Sequence, residues 1–156
     1  MVDSCLAREA RPISHTKGRT RVFVSRRADY GIRAMLDVAV ASPNGVALTR
    51  EIATRQGIPS AFLAKIVARL TRGGLLLAQR GAKGGVSLAR PANQISLRQI
   101  VEAVDGPMAL NRCLRERVNC PHSDGCRVRW VWSLAQNDLL TFLDGVTLAD
   151  LSQPPS

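Results

Sequence analysis

The apolar positions of the chain change period several times, and each change marks an element. Residues 1 to about 20 show no periodicity and are rich in Arg, Ser and Thr, which predicts a disordered extension. From Ser25 the pattern becomes helical. Ile32, Met35, Leu36, Ala39 and Val40 recur at helical spacing, predicting one apolar face on a helix that runs to Ala41. Ser42-Pro43-Asn44-Gly45 ends it with turn residues. Thr49 is placed to cap a short second helix through about Gln56, which Gly57 stops. Pro59 suits the first turn of a third helix, whose buried face is Phe62, Leu63, Ile66, Val67 and Leu70 and whose end is Gly73-Gly74.

The period then shortens. Leu75 to Gln79 and Val86 to Ala89 read as two strands, joined by Arg80-Gly81-Ala82-Lys83-Gly84-Gly85, a glycine-rich hairpin turn with two cations. After Pro91, Ser96 caps a fourth helix with Leu97, Ile100, Val101 and Val104 on one face, and Asp105-Gly106-Pro107 closes it. A loop from about Met108 to Cys126 precedes a long helix from about Arg127 to Leu143. Its apolar residues, among them Val128, Trp130, Val131, Trp132, Leu134, Leu139, Leu140 and Phe142, cover more than one stripe. Such a helix needs burial on two sides, in a monomer's core or against a second subunit. Thr147 to Leu151 adds a short terminal turn.

The fold class predicted is mainly α with a small β-hairpin: a winged helix-turn-helix followed by a long C-terminal dimerisation helix. The divisions are 1–20 (extension), 21–107 (winged helix), 108–126 (cysteine loop), 127–151 (dimerisation helix and terminal turn) and 152–156 (tail). No apolar run reaches the ~18 residues of a membrane span, and no signal-peptide core is present, so the expectation is a cytoplasmic protein without a membrane partner.

Charge sharpens this picture. The formal net charge is +10, and from Ile52 to Val101 there is no Asp or Glu, against eight Lys and Arg. One sign over fifty residues points to a polyanion, in preference to an ordinary solvated face. Lys65, Arg69 and Arg72 share a face of the third helix. A helix hairpin alone would read equally well as an amphipathic pair, and the glycine-rich wing decides for duplex DNA. Glycines allow close approach to the sugar-phosphate backbone, and Arg80 and Lys83 supply the cations. A nucleotide phosphate loop is disfavoured, because no Gly-Lys-Ser/Thr follows and no helix begins there. The predicted DNA-contacting set is Arg33, Thr49, Ser60, Ala61, Lys65, Arg69, Arg80 and Lys83, with Ala64 close to base edges.

Three of the four cysteines, Cys113, Cys120 and Cys126, lie within fourteen residues, among Arg112, Arg115, Arg117, Arg127 and Arg129. In a reducing compartment such a cluster suggests a metal in preference to disulfides or free thiols. Thiolates suit iron–sulfur clusters and zinc. Three on one loop can hold three corners of a cubane, so a [4Fe-4S] cluster is favoured over [2Fe-2S]. His122 with the three cysteines would instead make a closed zinc site. No Cys-x-x-Cys pair, catalytic triad or carboxylate pair stands out, so an enzyme is not expected.

From Val22 to Leu151 the chain resembles the Rrf-type winged-helix transcription regulators, the family of IscR, NsrR and RirA. The resemblance is carried by ADYGIRAMLDVA (28–39), FLAKIVARL (62–70), RGAKGGVSLARP (80–91), ISLRQIVEAVDGP (95–107) and TLADL (147–151). It implies a homodimer crossed over the long helix, a two-half-site operator, and a cluster between the wing domain and that helix. It also implies a cluster-switched regulator, probing nitric oxide, oxygen or redox state, or iron, and acting as a repressor. The chain departs from the family pattern in three places. Residues 1–20 are extra, and the cysteine spacings are six and five residues. Arg129 stands where IscR-like members place a histidine ligand. NsrR-like members use an aspartate at the start of the first helix, and the match here is Asp29, the favoured fourth ligand. An acid at a helix start also suits the helix dipole, and His122 is the rival ligand. The positions IscR-like proteins use for bases fall on Ala61, Ala64 and Lys65, so an operator is not carried over.

Overall fold

The computed structural model describes residues 24–41, 45–79, 85–115 and 125–153. Seven helices and one hairpin follow in order: α1 (Arg26–Ala41), α2 (Thr49–Gln56), α3 (Ser60–Arg72), β1 (Leu76–Ala78), β2 (Val86–Leu88), a 3-10 turn (Ala92–Gln94), α4 (Leu97–Asp105), α5 (Arg112–Arg115), α6 (Arg127–Gly145) and α7 (Leu148–Leu151). β1 is one residue shorter than expected at each end and β2 one residue shorter at its end; the ladder runs from Leu76↔Leu88 to Ala78↔Val86, with backbone hydrogen bonds continuing beyond it at Leu75–Ala89 and Gln79–Gly85. None of the described helices is long and apolar enough to cross a membrane.

The core gathers α1, α3, α4, both strands and α7. Met35, Leu63, Ile66, Leu70, Ile100 and Leu148 are each at most 1% exposed. α1 is the central element, packed by α2, α3, α4, α7 and β2. That crowding rotates its apolar stripe from the one expected. Ala28, Ala34 and Val38 are buried, whereas Val40, in the last turn, is 59% exposed.

The hairpin is tied to the segment before α2. Ala47 and Val86 exchange two backbone hydrogen bonds of 2.8 Å. Gly85 is required at this crossing: a Cβ there would lie 2.3 Å from the Ala47 carbonyl oxygen. The wing therefore moves with the entry to the helix-turn-helix.

The chain's end is stapled back onto this domain. Leu97 N–H donates to the Val146 carbonyl and Leu148 N–H to the Ile95 carbonyl, each at 2.8 Å. Arg98 Nη1 donates to Asp144 Oδ2 at 2.8 Å. The C-terminal end of α6 is thus fixed to the start of α4, while none of its residues is buried.

Candidate DNA interface and cysteine site

α2 and α3 form the helix-turn-helix. Gly57 takes the left-handed conformation (φ 61°) that ends α2, and its neighbour Ile58 drops into the core. α2 is held against α1 by a buried carboxylate. Arg55 Nη2 donates to Asp37 Oδ1 at 2.6 Å, Arg55 Nε lies 3.1 Å from both oxygens, and Gln56 Nε2 donates to Oδ2 at 2.9 Å. Burial alone would raise the Asp37 pKa. Hydrogen bonds from Arg55 and Gln56 and the guanidinium charge outweigh it, leaving the carboxyl below its ordinary value. Sequence reasoning missed this clamp because an Asp inside an apolar stripe reads as a surface residue until its partner is known.

Helix starts divide into two groups. Ser25 caps α1, Ser96 and Thr147 form capping boxes on α4 and α7, and the Cys126 sulfur accepts from Arg129 N–H on α6. α2 and α3 have no side-chain cap. Thr49 does not cap α2 as expected: the N-cap is Leu48 and Thr49 is the first helical residue. At α3 the N-cap is Pro59, which precedes the first turn. Glu51 N–H bonds back to the Leu48 carbonyl and Phe62 N–H to the Pro59 carbonyl, so the first two N–H groups of each helix, at Thr49 and Arg50 and at Ser60 and Ala61, are the ones without a side-chain cap among the described residues.

On α3, Ser60, Ala61, Ala64 and Lys65 are exposed, together with Ala68 and Arg72. Arg69 departs from the expected basic face. It is half-buried and its Nη1 donates to the Val104 carbonyl at the end of α4. At 100° per residue it lies roughly 40° beyond Lys65, at the edge of the packed side. Arg33 is exposed on α1 and pairs with Asp29 at 3.1 Å across one helical turn. The hairpin closes with Gln79 N–H to the Gly85 carbonyl (2.9 Å) and Gly85 N–H to the Gln79 carbonyl (3.2 Å). Arg80 and Lys83, between these two in the sequence, lie outside the described residues.

Cys113 sits on α5 and Cys126 at the start of α6, which packs against α5. Both are half-buried free thiols. Cys120 and His122 lie outside the described residues. Cys126 Sγ accepts from Arg129 N–H at 3.4 Å and lines an open recess of about 440 Å³ with Arg127, Arg129, Trp130 and Ser133. The Cys126 sulfur, the flanking arginines and the positive end of a 19-residue helix suit an anionic thiolate, while the described residues bring no three His, Cys, Asp or Glu side chains together as a metal site.

The fold and this surface define a winged-helix DNA-binding transcription regulator. The family model described as Rrf2, "Iron-dependent Transcriptional regulator", matches residues 24–154. The HTH-type transcriptional regulator IscR of Pectobacterium carotovorum subsp. carotovorum (strain PC1) is 33% identical over 128 residues, 82% of this chain and 77% of its own. Among solved structures, T. potens IscR superposes with a TM-score of 0.67 at 30% identity, covering 86% of this chain and 88% of that one. CymR, the global cysteine regulator of B. subtilis, gives 0.68 at 25% identity, covering 83% and 95%. The chain belongs to the Rrf2 family of transcription regulators.

Proposed function

We propose that the protein is a homodimeric repressor whose operator affinity is set by an iron–sulfur cluster on Cys113, Cys120 and Cys126, with Asp29 as the fourth ligand. The observation that carries this reading is the position of Cys126. Its sulfur caps the helix that bears most of the exposed large apolar residues among those described, Val128, Trp130 and Phe142 included. A metal held there acts at the root of the element that orders two subunits. The family description as iron-dependent and the similarity to IscR proteins support it.

The cluster is [4Fe-4S] in this reading. Its one oxygen ligand makes one iron exchangeable, the chemistry that a signal such as nitric oxide, oxygen or iron shortage would exploit. Asp29 needs release from Arg33 to serve, so Arg33 and the metal compete for the same carboxylate. The α6 staple at Asp144 to Leu148 passes displacement of the cysteine loop to α4 and thence to α3. Two half-sites lie about one turn of DNA apart, ~34 Å. In this reading the thiols stay reduced, as they do in a cytoplasmic protein.

The test is an absorption spectrum with iron and sulfide analysis on protein purified without oxygen. A brown protein with a broad band at roughly 400 nm supports the reading. A colourless protein with one zinc per chain overturns it in favour of a structural Cys113, Cys120, His122 and Cys126 site. Equal operator affinity with and without the cluster removes the switch but leaves DNA binding.

A further inference from the structure

We propose that this chain recognises its operator through thymine methyl groups, packed in the major groove against the methyls of Ala61, Ala64 and Ala68. The inference rests on the DNA-binding reading above and assigns the class of sequence that its recognition helix takes. At 100° per residue, Ser60, Ala64, Ala68, Ala61, Arg72 and Lys65 span roughly 140° of the α3 surface, in that angular order. All six are exposed; Thr71, which falls between Ser60 and Ala64 in the helix's last turn, is half-buried, as are the next positions on either side, Val67 and Arg69. The middle of the groove-facing arc is therefore alanine, with Ser60 and Lys65 at its margins.

Alanine carries neither donor nor acceptor. A base edge that offers only hydrogen-bonding atoms would be stripped of water by such a surface with nothing in return. Thymine alone presents an apolar group, its C5-methyl, in the major groove. Short side chains also let the helix axis approach the groove floor, which a facing methyl can then fill. The first two turns, Ser60 to Val67, contain no Asn, Gln, Arg, Asp or Glu, so adenine and cytosine lack their usual side-chain partners there and Lys65 is the one long donor. In this reading Lys65, at the arc's margin, pairs with a phosphate and the alanines carry the base contacts. The uncapped start of α3 sets the first turn against the backbone.

The experiment begins with selection from a randomised duplex pool, using full-length protein purified without oxygen. The selected duplex is then titrated beside copies in which single half-site thymines are replaced by deoxyuridine, which lacks only the methyl. Fixed thymines and a roughly fourfold loss of affinity per methyl removed are expected. The penalty at one thymine should shrink in Ala61→Gly and at a different one in Ala64→Gly. Any general loss of helix stability affects the thymine and deoxyuridine duplexes alike, so the change in penalty isolates the contact. Selected half-sites without fixed thymines, or equal affinity for the deoxyuridine copies, would overturn methyl readout while leaving DNA binding intact. Failure to retain any duplex would overturn both.

Discussion

The Asp37 carboxylate, 6% exposed on α1, is gripped by the Arg55 guanidinium of α2 at 2.6 Å, eighteen residues further along the chain. This ion pair sets the angle at which the helix-turn-helix leaves the core, since α2 buries only Ile52 and Ala53 of its own. Asp37→Asn should lower unfolding free energy by about 1–3 kcal/mol, read from urea denaturation. The pH dependence follows from the direction of the shift. A carboxyl held below its unfolded value stabilises the fold fully above the unfolded pKa, about 3.9, and loses that contribution as pH falls through the lower folded value. The stability gap between wild type and Asp37→Asn should be constant from neutrality to about pH 5 and close at pH below about 4. A gap that widens with acid would mean the pair is not the source.

Lys65 and Arg69 are one helical turn apart and should behave differently. Lys65→Ala should weaken DNA binding across sequences and lower the slope of log affinity against log salt by about 1. Arg69→Ala should leave that slope unchanged and reduce stability, because its guanidinium is committed to the Val104 carbonyl. Equal loss of slope in both would show that Arg69 leaves α4 to meet DNA.

Leu148 is fully buried, although it lies only eight residues before Ser156. Leu148→Ala should cost about 2–5 kcal/mol, as for other leucines excised from packed cores. Hydrogen exchange should also quicken at Leu97 and Leu148, whose N–H groups form the staple. A loss below about 1 kcal/mol would show that α7 contributes little beyond the chain's own ends.

Trp130 and Phe142 are 64% and 66% exposed on a helix with no buried residue. Exposed apolar surface on this scale marks an interface. Trp130→Glu combined with Phe142→Glu should give a species of 16.9 kDa by sedimentation equilibrium, half the mass of the wild type, with unchanged helical circular dichroism. A wild type that already sediments as one chain would refute the dimer.

Much of the fold was legible locally. Ser96 with Gln99, Thr147 at the last turn, Gly57 between two short helices and the two strands flanking the glycine-rich stretch are all signals confined to a few residues, and each has the conformation they call for. The candidate site was legible as residue types only. Arg69 and Lys65 look equivalent in the sequence, and so do Arg55 and Arg72. Thr49 looked like a cap because threonine suits that role, but the bridge at Ala47 starts the helix one residue earlier.

The sequence by itself therefore determined the kinds of element, their order, the DNA-reading motif and the presence of a thiol cluster. These depend on backbone propensity, period and turn chemistry, which act over a few residues. Only the tertiary structure decided which charges are free. Asp37 is matched with Arg55, Arg69 with Val104 and Arg98 with Asp144 across separations of 18, 35 and 46 residues. Such pairings follow from how the helices pack, and packing is a property of the assembled chain rather than of any one segment.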